Sequence, residues 1–178
     1  MSFRINQNDS SNSQRSWITR FFLTVIVMAL GLMWLYAFFF APSGNPDRLE
    51  DRSWPKHAEK YCNESLENIA DLPSVLDISS PAERADLIEA ATTILEIMVN
   101  NLKKLDGGSN NDKALIENWL EDWSTYLKDR RIHAERLRTE GDVQPLLTAL
   151  PDGSSALKRM NGFARVNDME MCLDPADF

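Results

Sequence analysis

The chain has 178 residues, enough for one domain with accessories and too few for two full domains. Its formal charge of −8 is unevenly spread: Arg4, Arg15 and Arg20 against Asp9 leave +2 up to Ala41, so the remainder carries −10. A remainder this acidic repels nucleic acid and anionic headgroups, and two histidines with two unpaired-in-spacing cysteines are too few for structural zinc.

Residues 1–16 (MSFRINQNDSSNSQRS) nearly lack apolar side chains and cannot offset their chain entropy, so they are expected to be a disordered cytoplasmic tail. Residues 17–41 are expected to form a transmembrane signal-anchor helix. From Phe21 to Ala41 the 21 residues carry no charge, and at about 1.5 Å per residue they cover roughly the 30 Å of a bilayer core. Trp17 at one end and Trp34 with Tyr36 towards the other suit membrane interfaces. A removable signal peptide has a shorter apolar stretch and small residues before its cut; a cut after Ala41 would meet Phe39 and Pro42 instead. Arg15 and Arg20 precede the run without nearby acid, whereas Arg48 and Arg52 follow among Asp47, Glu50 and Asp51. Positive flanks stay inside, which predicts a single-pass cell-membrane protein with a cytoplasmic amino terminus and an extracytoplasmic bulk.

After a linker at 42–53, residues 54–178 are expected to form an all-α domain, a three- to four-helix bundle. Ser53 reads as the cap of its first helix, with Pro55 in the first turn and Ala58, Tyr61, Cys62, Ser65, Leu66 and Ile69 on one face. Ser80-Pro81-Ala82-Glu83 reads as a capping box. Beyond it Ile88, Ala91, Leu95, Met98, Leu102 and Leu105 alternate steps of three and four, a heptad seam. Ile116, Leu120, Trp123, Leu127, Arg130, Ala134 and Leu137 form a second seam that ends at Gly141, and the short loop between the two predicts an antiparallel hairpin. Pro145, Pro151 and Gly153 then break the chain, with one helical turn expected at Leu146–Leu150, a short helix from Ser155 to about Asn167 and an irregular, pinned end.

Trp119, Trp123 and Tyr126 share one helix face, which suits either core filling or an aromatic platform for a ligand or partner. Arg130 interrupts an apolar seam, so it either snorkels to an edge or pairs in the interior. His57 and His133 stand apart from any metal-ligand spacing and read as exposed, and Glu117, Glu121 and Asp122 read as a solvated acidic face. Neither a metal nor another cofactor is expected. Asn63-Glu64-Ser65 fits the glycosylation triplet but falls inside a helix. Cys62 and Cys172 lie on the side assigned to the outside with no third cysteine to compete, which predicts one disulfide between them.

Cys62 soon after the membrane segment, SPAERADLIEAAT from Ser80, NWLEDWSTY from Asn118 and FARVNDMEMC ending at Cys172 give the chain a family likeness. In these stretches it resembles uncharacterised small single-pass membrane proteins of actinobacterial type. The resemblance implies a bacterial plasma membrane and brings no activity with it. The expected function is that of a non-enzymatic interaction protein of the cell envelope, docking on another envelope or membrane protein. The alternatives are a ligand-sensing domain using Trp119, Trp123, Tyr126 and Arg130, and an envelope hydrolase using outer carboxylates.

Overall fold

The computed structural model describes residues 9–40, 44–74, 76 and 78–175, with side chains from residue 17 onward. Residues 1–8 of the expected tail lie outside these. The chain divides into two compact units, Met1–Gly44 and Asn45–Phe178, each taken by itself below.

In the first unit α1 (Asp9–Phe39) runs for 31 residues. Its stretch Trp17–Phe39 has a mean hydropathy of 2.3 with no side chain buried, so it is long and apolar enough to cross a membrane. The helix begins well before the apolar run. Once that run has nucleated a helix, each polar residue ahead of it gains a backbone hydrogen bond by joining.

The second unit is a packed all-α domain of four helices, α2 (Ser53–Ala70), α3 (Pro81–Leu102), α4 (Asn110–Glu140) and α5 (Ala156–Val166), closed by a 3-10 turn at Glu170–Cys172. The capping box of α3 is formed: Glu83 N–H donates to Ser80 Oγ at 3.2 Å, and Ser80 N–H donates back to Glu83 Oε2 at 3.3 Å. Ser109 and Ser155 cap α4 and α5 in the same way, each accepting from the backbone N–H three residues on. Ser53 is not the cap of α2. Ser53 is instead the first residue of the helix; Arg52 holds the cap position without a side-chain cap bond, and Asp51 Oδ1 just before it accepts from both the backbone N–H and the hydroxyl of Ser53 at 2.8 and 2.7 Å.

Both heptad seams are buried along the α3–α4 hairpin, with Leu105 only partly so at its end. At the turn Gly108 holds φ +70°, and a Cβ there would meet that of Asp51 at 3.2 Å, so the turn needs glycine for both backbone and space. One core cluster runs from Leu95 and Leu127 towards this turn and takes in α2, α5 and the 3-10 turn. A smaller one, Ala85, Ile88, Ala134 and Leu137, fills the far end. The expected turn at Leu146–Leu150 is absent. That stretch is extended and forms one isolated bridge, Ala149 with Ser155, since Pro145 and Pro151 leave it too short for a stable helix.

Part of the segment expected as linker belongs to this unit. Leu49 is 2% exposed, its N–H donates to Asn167 Oδ1 at 2.8 Å, and Asn167 Nδ2 donates to the Asp47 carbonyl at 2.9 Å. The buried carboxylate of Asp112 accepts from Glu50 N–H and Asp51 N–H, both at 2.9 Å. The chain therefore enters the domain already clamped against α4 and the end of α5.

Candidate functional site

The residues singled out by sequence gather on α4, and the structure sets them inside the domain. Trp119, Trp123 and Tyr126 are buried in an edge-to-face relay: Trp54 meets Trp119 at 5.9 Å and 84°, Trp119 meets Trp123 at 6.2 Å and 87°, and Trp123 meets Tyr126 at 6.0 Å and 67°. Phe163 of α5 stacks on Trp119 at 5.4 Å, and Trp119 Nε1–H donates to the Met160 carbonyl at 3.0 Å. Rings at these distances and angles set positive edges against negative faces, so the stripe is held by its own neighbours. The flank of Trp119 borders a depression of about 240 Å³ beside Asp122 and Arg159.

Arg130 is 0% exposed and sits between the two apolar clusters. Its Nε–H donates to Thr92 Oγ1 at 2.9 Å, an Nη–H donates to Tyr126 Oη at 3.4 Å, and the guanidinium lies 5.7 Å from the Tyr126 ring centre. Thr92 in turn donates to the Ile88 carbonyl at 2.6 Å, and Tyr126 donates to Asp174 Oδ1 at 2.6 Å. Burial, followed by the bond to Asp174, holds the Tyr126 phenol far above its ordinary range, against the opposing charge of Arg130. Of the two places open to Arg130, the interior is the one it takes. It joins α3, α4 and the carboxy-terminal segment in one polar chain.

The chain matches no protein-family model, no curated protein and no solved structure.

Two expectations about the charged residues of α4 are overturned. Asp122 is buried rather than part of a solvated face, because Arg159 of α5 grips both its oxygens at 2.6 and 2.5 Å; Glu117 and Glu121 are exposed. His133 is also buried, at 4% exposure, while His57 is exposed. The reason is the returning chain, which crosses this side of α4: Asp129 accepts from Thr148 N–H and Oγ1–H at 2.7 and 2.6 Å, and an Arg136 Nη–H donates to the Gln144 carbonyl at 3.0 Å.

Burial first, and then the positive charges of Arg136, Arg84 and Arg130, hold the His133 imidazole below its ordinary value near 6.5. A depressed value means that the unfolded chain binds the proton more readily. Stability from this group is therefore complete above the ordinary value and falls as the pH drops through it. Melting curves taken from about pH 7.5 down to 5.5 should show a loss that is smaller in His133→Gln. Equal losses in both proteins would assign the whole effect to carboxylates.

Cys62 of α2 and Cys172 are joined in a disulfide, with Cα atoms 5.0 Å apart and both residues buried. Thr92, Asp112, Asn167 and Asp174 were not singled out by sequence. Thr92 alone carried a signal, as a polar residue stepping by four from Ile88 and three to Leu95 on a buried face. Asn63 of the glycosylation triplet lies within α2, with its amide donating to Glu67 Oε1 at 2.7 Å.

Proposed function

We propose that the chain is a single-pass membrane protein with its amino terminus in the cytoplasm and a helical domain outside, acting as a non-enzymatic docking module of the cell envelope. Three features support the topology: the membrane-length α1, Arg15 and Arg20 ahead of its uncharged run, and a disulfide of the kind that persists in oxidising compartments. The resemblance to actinobacterial membrane proteins favours a bacterial plasma membrane.

The observation that carries the docking reading is where the domain's chemistry is engaged. Arg130, Asp112, Asp122 and Asp129 are buried and each binds one element to another, and the aromatic stripe is closed in the core. That leaves the helical exterior as the part available for recognition. The ligand-sensing alternative draws no support from this arrangement, since Trp123, Tyr126 and Arg130 are each buried among their own neighbours.

Fusion of an exported-only phosphatase after Phe178 should give activity, and a reporter that matures only in the cytoplasm should stay dark; the reverse pattern overturns the topology. For docking, a photo-crosslinking residue at Ile97, which is 58% exposed, should give a discrete adduct with another envelope protein in intact cells. Adducts with the chain alone, or a small molecule retained through purification, would overturn the docking reading.

A further inference from the structure

One side of the α3–α4 hairpin is grooved at its surface. Two adjoining depressions of about 740 and 370 Å³, sharing Lys103 and Ser124, run along it over a floor of Val99, Leu102, Ile116, Leu120 and Leu127. On the α4 rim Glu117, Glu121, Ser124, Lys128 and Arg131 are all exposed, and their steps of 4, 3, 4 and 3 make one continuous stripe.

The stripe is ordered by charge, with two carboxylates, a small hydroxyl and then two cations. Glu117 and Glu121 stand four apart on the helix, where like charges repel. Lys113, the nearest cation on that side of the helix, is drawn to Asp106 at 3.1 Å instead. Among the described residues Glu117, Glu121 and Lys128 form no ion pair, and Glu121 and Lys128 lie about 10 Å apart along the axis, too far to meet. Within the chain Glu121 acts only at a distance, on Arg159, and Arg131 is held by α3, so the stripe's acidic and basic ends do not meet each other. A second helix of the same sequence, laid antiparallel, turns the pattern into a match.

We infer that this groove is an interface between two copies of the chain, with α4 crossing its counterpart antiparallel at Ser124. About a two-fold axis at Ser124, Glu121 faces Lys128 of the second copy and Glu117 faces its Arg131, with each pair occurring twice as such symmetry requires. Arg131 is already held by Glu96 at 2.9 and 2.7 Å, so the Glu121–Lys128 pair carries most of the new attraction. Parallel pairing would set carboxylate on carboxylate, so the pattern selects one orientation. The small side chain of Ser124 lets the helices approach at the axis, where the groove receives the second helix. This inference concerns the chain's own association and stands whether or not a foreign partner docks elsewhere.

The test uses the full chain in its membrane. Its two cysteines are already bonded, so Ser124→Cys introduces a single free thiol at the axis. Oxidation should give a disulfide-linked dimer in high yield, whereas Lys158→Cys on α5, off the groove, should give little. Glu121→Lys added to Ser124→Cys should lower the dimer yield severalfold, and adding Lys128→Glu as well should restore it. A Ser124→Cys yield no greater than that of Lys158→Cys would overturn the interface. A yield unmoved by Glu121→Lys, or not restored by the charge swap, would overturn the antiparallel pairing.

Discussion

Replacing Cys62 and Cys172 by serine is expected to lower the stability of the domain by about 4–5 kcal/mol. The bond closes a loop of 110 positions, and loop-closure entropy is removed from the unfolded chain in proportion to the logarithm of that length. It also reinforces the other contacts that secure the end of the chain, among them the Tyr126–Asp174 bond. Met169 is buried, the Met171 N–H reaches Glu59 Oε1 at 3.4 Å, and the Asp174 N–H donates to Asn161 Oδ1 at 3.0 Å, all near residues that the bond pins to α2. A melting temperature lower by on the order of 10–20 °C should follow, measured on the full chain in detergent by circular dichroism. Since the chain holds just these two cysteines, no rearranged pairing can mask the loss. Native protein that alkylates at two free thiols, or a double variant melting with the parent, would sink this account of how the carboxy-terminal segment is held.

Arg130→Ala should cost about 3–5 kcal/mol, because it removes one member of a buried polar chain and leaves a cavity between the two apolar clusters. Arg130→Met separates the two contributions. It keeps most of the volume and loses the charge, so it should fall between the parent and Arg130→Ala. Thr92→Val removes the acceptor of the Arg130 Nε–H and should cost about 1–3 kcal/mol, since a buried guanidinium donor is left unmatched. Combined with Arg130→Met the same change should cost less than the sum of the two, as contacting residues do in a double-mutant cycle. Urea unfolding of the parent and these four variants measures all of this. A cost below about 1 kcal/mol for Arg130→Ala, or strict additivity of the pair, would mean that the polar chain does not stabilise the fold.

The elements were legible in the sequence to the extent that their signals are local. Ser80 and Glu83 lie three residues apart and cap α3 as their spacing predicts, and Ile88 to Leu102 and Ile116 to Leu137 bury the faces their steps define. The apolar run from Phe21 is read by length alone. The disulfide was legible for a different reason, as two cysteines leave one intramolecular pairing once both are placed in an oxidising compartment. Residues of the candidate site were named but not resolved: the stripe of Trp119, Trp123 and Tyr126 has the same spacing whether it faces solvent or Trp54 and Phe163.

What the sequence by itself determined, then, is periodicity: where helices start, which face of each is apolar, and which segment can cross a bilayer. The tertiary structure decided the fate of the polar groups. Leu49 is core because its N–H finds Asn167, 118 positions away, and the entry segment is clamped because Asp112 reaches back 62 positions to Glu50. Asp122 and His133 are interior because Arg159 and the returning chain at Gln144–Thr148 come to cover α4, which turns an exposed-looking helix face into a buried one. A buried charge or amide is stable only when its partner arrives, and that partner lies at no fixed spacing along the chain; apolar burial asks only for a face, and a face repeats.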